Sequence, residues 1–251
     1  MSKHIGLFVT AGLGNRIRVI NSLLNLLEDS GVTDYKVTAY WVVADELNAR
    51  FEDLFEPIDK VRVVNVPKAS LRFLWLKAWY KAAAYNDVRD SSTIDVGTPK
   101  TIYIHTVHEF HPINKNFVFF NRHIHERTDV PAQRYVGIHI RQGDNRQSIE
   151  HSPLGMFEDK IREILLEEPS TLFYLSTDAA DVRQQFHERF GDRIVVSRIP
   201  KLDRHTLEGI QGAASDMIIL SRSEKIFGSF YSSFSEVAAR FHNIPLIILK
   251  K

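Results

Sequence analysis

Hydrophobic and polar positions along the chain follow two alternating rhythms. Short apolar runs of strand length are separated by stretches in which apolar residues recur three and four positions apart, the spacing of one helical face. The segment 4–10 reads as a buried first strand. A glycine turn, Gly12-Leu13-Gly14, then leads into a helix over 15–29, with Ile17, Ile20, Leu23, Leu24 and Leu27 on one face and Gly31 as its stop. Strands follow over 35–43 and 61–66, then a helix over 70–85 carrying two of the three tryptophans, then a strand over 102–105. Between 85 and 101 the periodicity weakens and turn residues accumulate, which predicts an irregular surface segment.

The polar stretch 121–133, with Pro131, predicts a domain boundary. Beyond it the pattern sharpens into strands over 134–140, 171–176, 193–197, 225–228 and 246–249, with helices over 153–168, 179–190, 207–221 and 233–242 between them. Strands alternating with helices imply parallel sheets, and five strands joined by four crossovers make a doubly wound unit. The expected architecture is therefore α/β. Two Rossmann-like domains, over 1–128 and 129–251, face each other across a cleft that is the default ligand site.

Composition narrows the chemistry. The 251 residues include 32 basic and 31 acidic side chains, a net charge of +1, which excludes the electrostatic footprint of a general nucleic-acid binder. There is no cysteine, so disulfides, thiolate zinc sites and a cysteine nucleophile are excluded. The apolar run Ile5 to Val9 is too short for a signal-peptide core or a bilayer span, and the expected location is the cytoplasm, with no transmembrane segment.

Three groups of residues sit where α/β sheets bind ligands. Gly12, Gly14, Asn15 and Arg16 join the first strand to the first helix, where backbone N–H groups can approach an anion. Ile17 stands at the third glycine position of a dinucleotide fingerprint, and no Gly-Lys-Ser/Thr follows, so the turn is neither that motif nor a Walker loop. A turn that only packs strand on helix has the same spacing. The second group, His139, Arg141, Asp144 and Asn145, leaves the end of a buried strand. Arg141 there can grip a phosphate with paired N–H donors, or form an ordinary surface ion pair. The third is Asp216 on a helix with Ser232, Ser233 and Phe234 at the start of the last helix. Its serines are cap residues or part of a diphosphate cradle. Asp178 closes a further strand. His105, His108 and His111 with Glu109 do not have zincin spacing, and no Asp-x-Asp pair is present to hold a divalent ion.

In this order the motifs resemble the fucosyltransferase superfamily, the α1,2-, α1,6- and protein O-fucosyltransferases. The resemblance rests on Gly12 to Arg16, on His139-x-Arg141-x-x-Asp144, on the strand end Tyr174 to Asp178, and on Asp216 through Phe234. The segment Asn48 to Phe55 is also similar to one that follows the second strand in that family. The resemblance implies a GT-B-like fold, with 1–128 as the acceptor-side domain and 129–251 as the donor domain, and a metal-independent, inverting transfer of fucose from GDP-fucose to a glycan hydroxyl. The sugar nucleotide is then a substrate, and no cofactor is needed. Carried over, Arg141 is the catalytic residue on the leaving β-phosphate and His139 supports it. Asp216 faces the guanine, and Ser232, Ser233 and Phe234 hold diphosphate and nucleoside. Gln142 stands where the family usually has a second basic residue, so transfer from another donor such as a UDP-sugar, or nucleotide or glycan binding without turnover, stays open. Asp45, Glu46, His108 and Glu109 are the candidates for a general base.

Overall fold

In the computed structural model, which describes residues 3–82, 85–97, 101–143, 145–198 and 203–251, the strands form two separate, wholly parallel sheets of five. Contacts divide the chain into one unit of Met1–Arg122 with Arg204–Leu207 and another of His123–Asp203 with Glu208–Lys251.

The first sheet contains β1 (Lys3–Val9), β2 (Tyr35–Val43), β3 (Val61–Pro67), β4 (Tyr85–Asn86) and β5 (Thr101–His105), in the order β3-β2-β1-β5-β4. Two helices serve it, α1 (Leu13–Asp29) and α2 (Leu71–Lys81). The apolar face read from the sequence is the buried face of α1: Ile17, Ile20, Leu23, Leu24 and Leu27 are all inaccessible. At its end Gly31 adopts a left-handed φ of 64°, with the Gly31 and Val32 N–H groups returning to the Glu28 and Leu27 carbonyls. That is the glycine stop its position predicted.

Three polar residues of α1 are buried as well. The Asn25 carboxamide oxygen accepts from the Asn114 and Lys115 N–H groups, Asn21 accepts from Phe117 N–H, and the Ser22 hydroxyl donates to the His111 carbonyl. They zip the extended segment after β5 to the helix, satisfying backbone groups that have no sheet partner. The segment expected to be irregular contains β4 and a short 3₁₀ turn, and it buries Val88, Ile94 and Val96. The helix expected over 70–85 ends at Lys81, and Tyr85 is already in β4. In the Asn48–Phe55 segment, Phe51 and Phe55 pack edge-on against buried Trp41.

The second unit begins at His123, within α3 (Arg122–Glu126) and within the stretch read as a domain boundary. Its sheet consists of β6 (Tyr135–Ile140), β7 (Leu172–Thr177), β8 (Ile194–Val195), β9 (Ile226–Ser229) and β10 (Leu246–Leu249), ordered β10-β9-β6-β7-β8. The crossovers are α4 (Arg146–His151) with α5 (Leu154–Glu167), then α6 (Ala180–Phe190), α7 (Leu207–Ser221) and α8 (Ser233–Phe241). The core packs Val136, Ile138 and Ile140 of β6 with Phe157 and Ile161 of α5 and Phe186 of α6. The short α4 escaped the periodicity because six residues carry too little of a helical repeat.

Each sheet reverses direction beside its first strand. The switch lies between β1 and β5 in the first unit and between β6 and β9 in the second. Ligands of open α/β sheets bind beyond the carboxyl ends of strands at such points.

Candidate functional site

In the second unit, Arg141 is the first residue past β6, and its backbone N–H donates to the Ser229 hydroxyl at the end of β9, 3.0 Å away. This hydrogen bond spans the switch point. The Arg141 guanidinium is about one-third exposed and pairs through Nη1 with Asp178 Oδ2 at 2.9 Å. Asp178 follows β7, and its other oxygen accepts from the Gln142 and Gly143 N–H groups at 2.8 and 3.0 Å. One carboxylate thus fixes both the loop and the cation that the loop carries. Gly143 permits the approach, because a Cβ there would stand 2.8 Å from Asp178 Oδ2. Asp144 lies outside the described residues.

His139 sits one turn of the pleat below Arg141 and is buried. Its ring stacks on Phe234 of α8, with centroids 4.9 Å apart and planes 21° from parallel, and its Nδ1 has no hydrogen-bond partner. Burial, reinforced by the Arg141 charge, pushes the imidazole pKa down to about 4, so the ring is neutral at pH 7.

The loop after β9 is braced from three sides. Ser148 donates to the Phe230 carbonyl at 2.7 Å, Ser152 accepts from the Phe230 N–H at 2.8 Å, and Asn145 donates to the Tyr231 carbonyl at 3.0 Å. Asn145 also caps α4 by accepting from the Ser148 N–H. The bracing holds Tyr231 at a φ of 57°, a left-handed conformation that a bulky residue adopts only under constraint. Ser232 then occupies the N-cap of α8 without a side-chain cap bond, so its hydroxyl does not occupy the first N–H groups of that helix. Sequence reasoning missed Ser148, Ser152 and Ser229. Serines that donate to or accept from distant loop atoms carry no local signature.

Asp216 lies deeper, on α7. Its carboxylate accepts from the Tyr174 hydroxyl at 2.7 Å and the Ser176 hydroxyl at 2.9 Å, and Arg183 Nη2 stands 3.8 Å away. Burial raises its pKa, against the lowering effect of those donors and the nearby cation. Arg183 was also missed, although it lies three residues before the buried Phe186 on the inner side of α6.

In the first unit the Gly12 turn follows β1. Ala11 has a left-handed φ of 68°, while Gly12 is extended and a Cβ on it would meet nothing within 4 Å. Arg16 is fully buried. Its Nε donates to the Ala11 carbonyl and its Nη1 to the Val42 carbonyl, both at 2.6 Å, and the guanidinium lies 4.5 Å from the Trp41 ring centroid. Nη2 is buried without a partner. Burial pushes the Arg16 pKa down to about 9, which leaves it charged at neutral pH. Gly14 is buried and Asn15 half-buried in the first turn of α1.

The histidines after β5 separate. His105 bonds to Asn86 through Nδ1, His108 Nε2 stands 3.4 Å from Asp87, and His111 bonds to Asp29 and Ser91. Among the described residues no three His, Asp or Glu side chains converge as a metal site. Of the base candidates, Asp45 and Glu46 are exposed and share Lys68, Glu109 is half-buried, and His108 has a carboxylate beside it. Burial, assisted by Arg89, pulls the His108 pKa down, with Asp87 opposing it.

No protein-family model matches the sequence, and no curated protein matches it. Solved structures do match. Fucosyltransferase NodZ from Bradyrhizobium superposes with a TM-score of 0.63 at 17% identity, over 95% of this chain and 93% of that one. POFUT1 in complex with GDP gives 0.58 at 11% identity, over 99% and 98%. An Arabidopsis thaliana FUT1 mutant in complex with GDP gives 0.62 at 14% identity, over 99% of this chain and 70% of that one. The chain has the GT-B-like fold of these fucosyltransferases, two Rossmann-like halves each built on a parallel sheet.

Proposed function

We propose that this protein is an inverting glycosyltransferase that moves fucose from GDP-fucose to a hydroxyl of a glycan acceptor without a metal ion. The observation that carries the proposal is the arrangement at the switch point of the second sheet. Arg141 is held there by Asp178, beside a helix start whose N-cap side chain makes no cap bond. A guanidinium next to a helix N-terminus suits a diphosphate, which takes bidentate N–H donation from the one and backbone N–H groups from the other. Two of the structural neighbours are described in complex with GDP, which supports the same ligand class here.

In the reaction the acceptor oxygen bonds to the anomeric carbon as the bond from that carbon to the β-phosphate oxygen breaks. The electron pair and growing negative charge go to the leaving GDP. Arg141 neutralises that charge, a service worth on the order of 3 kcal/mol in the transition state. His139, stacked on Phe234, is neutral at pH 7 and adds no competing charge beneath the arginine. Ser232, Ser233 and Phe234 flank the diphosphate and nucleoside. Asn145 and Asp178 orient the loop, and Asp216 faces the guanine end. In the first unit the turn of Gly12, Gly14 and Asn15 is the anion-approach element, and Arg16 braces it from inside.

The acceptor proton goes to a general base. Of the candidates Asp45, Glu46, His108 and Glu109, our choice is His108, on its own surroundings. Its depressed pKa keeps it unprotonated near neutrality, and Asp87 at 3.4 Å stabilises the imidazolium once formed.

The test is titration of GDP, UDP and their sugar conjugates in EDTA, with product analysis. Metal-independent GDP binding and transfer, both weakened in Arg141→Ala, support the proposal. Tighter UDP binding would change the donor, and GDP binding without product would make the chain a binding protein.

A further inference from the structure

Among the described residues, four of the eleven exposed large hydrophobic side chains lie on α2 alone. Leu71 is 84% exposed, Leu74 and Trp75 60%, and Trp79 47%. Their sharing one side follows from the helix period. With about 100° between successive residues, Leu71, Leu74, Trp75 and Trp79 fall in one sector, opposite Leu76 and Tyr80. The inner side is seated firmly. Leu76 and Tyr80 are buried, and Gly6 of β1 leaves the room that the Tyr80 hydroxyl occupies, since a Cβ there would collide with it. The two outer tryptophans stack on each other, with centroids 5.3 Å apart and planes at 16°.

Cations border the apolar sector on both sides, Arg72 along one edge and Lys77 with Lys81 along the other. From Lys60 to Asn86 the sequence has six basic residues and no acidic one, in a chain whose net charge is only +1. Lys68 is shared by Asp45 and Glu46, but Arg72, Lys77 and Lys81 have no acidic residue within their own helix. No helix among the described residues is long and apolar enough to cross a membrane. An apolar, tryptophan-bearing sector edged by basic residues on a short helix is the pattern of an element that lies in a lipid interface. The tryptophans there sit at headgroup level, and long basic side chains reach anionic phosphates.

We infer that the outer face of α2 docks this protein on an anionic lipid surface. Charge separates this occupant from a second copy of the chain. A two-fold contact through this face would bring Arg72, Lys77 and Lys81 against their own copies with no carboxylate from α2 to pair with them. An anionic headgroup layer supplies the complement all along the edge.

Intrinsic fluorescence reports on the docking directly, because Trp41 is fully buried and only Trp75 and Trp79 face solvent. The unaltered protein is mixed with phosphatidylcholine vesicles that contain or lack phosphatidylglycerol, and co-sedimentation and emission are followed as salt is raised. Binding to the phosphatidylglycerol vesicles, with a blue shift and weakening by salt, is the expected result. Arg72→Gln/Lys77→Gln/Lys81→Gln should lose affinity by about fivefold per cation. Trp75→Ser/Trp79→Ser should lose roughly tenfold or more. Thermal unfolding checks that both variants keep their fold, and the salt series on the unaltered chain tests the inference independently of them. The inference is overturned by absence of binding, by binding without a blue shift, or by binding equal on both vesicle types. It is also overturned if sedimentation finds a dimer that the tryptophan variant abolishes, since the face would then join two copies.

Discussion

The two sheets bring an arginine to corresponding places and use it differently. In the first unit Arg16 is wholly internal, with two of its nitrogens donating to the Ala11 and Val42 carbonyls and its face on Trp41. In the second unit Arg141 remains partly exposed and is held by Asp178, a partner that itself grips the loop backbone. Buried carbonyl partners make an arginine a brace for a strained turn. A carboxylate partner at the surface orients an arginine and leaves part of it accessible to a ligand.

The largest expected effect tests the brace. Arg16→Met leaves the Ala11 and Val42 carbonyls without their charged donor, and we expect a loss of about 3 kcal/mol or more in urea unfolding. Unchanged stability with lost GDP binding would break the comparison and make Arg16 a ligand contact.

Arg141→Ala should do the reverse. Its ion pair is partly solvated and worth at most about 1 kcal/mol to folding. Transfer from GDP-fucose, by contrast, should fall ~100-fold or more. A variant that unfolds without a selective loss of transfer would show that Arg141 too is structural.

The His139 imidazole sharpens the contrast through pH. Its folded pKa, about 4, lies below the ordinary 6.5. The unfolded chain therefore takes up this proton first as pH falls. The stability is fully present above pH 6.5 and is lost progressively toward pH 4. The loss is up to about 3 kcal/mol. Acid titration of His139→Gln should lack this component, and an unchanged profile would assign the acid sensitivity elsewhere.

The smallest effect concerns Gly12. Its backbone angles suit alanine and a Cβ would meet open space, so Gly12→Ala should leave the melting temperature nearly unchanged. Close approach of a ligand to the turn predicts a fall in transfer of roughly fivefold, about 1 kcal/mol. Full retention of transfer would reduce the turn to a strand–helix connection.

Much of the fold was legible before the structure. The long strands β1, β2 and β6 are apolar runs, and α1, α5 and α7 carry enough turns for their periodicity to register. The two-residue β4 and the short α3 and α4 were not legible, since neither length establishes a period. Polar residues inside α1 were indistinguishable from a solvated face, because only the folded segment 110–117 supplies the backbone groups that Asn21, Ser22 and Asn25 bind.

At the candidate site the sequence supplied the residue types and the strand ends on which they fall. Period and turn chemistry are local, and a charged residue just past a buried strand is visible in one dimension. Partner choice is not local. That Arg16 spends its donors inside the first unit while Arg141 is aimed by Asp178 depends on contacts between residues many positions apart. The same holds for Asp87 beside His108 and for the exposed side of α2. Helical spacing sorts α2 into faces, but only the packing of Tyr80 over Gly6 decides which face the protein covers and which it leaves to solvent.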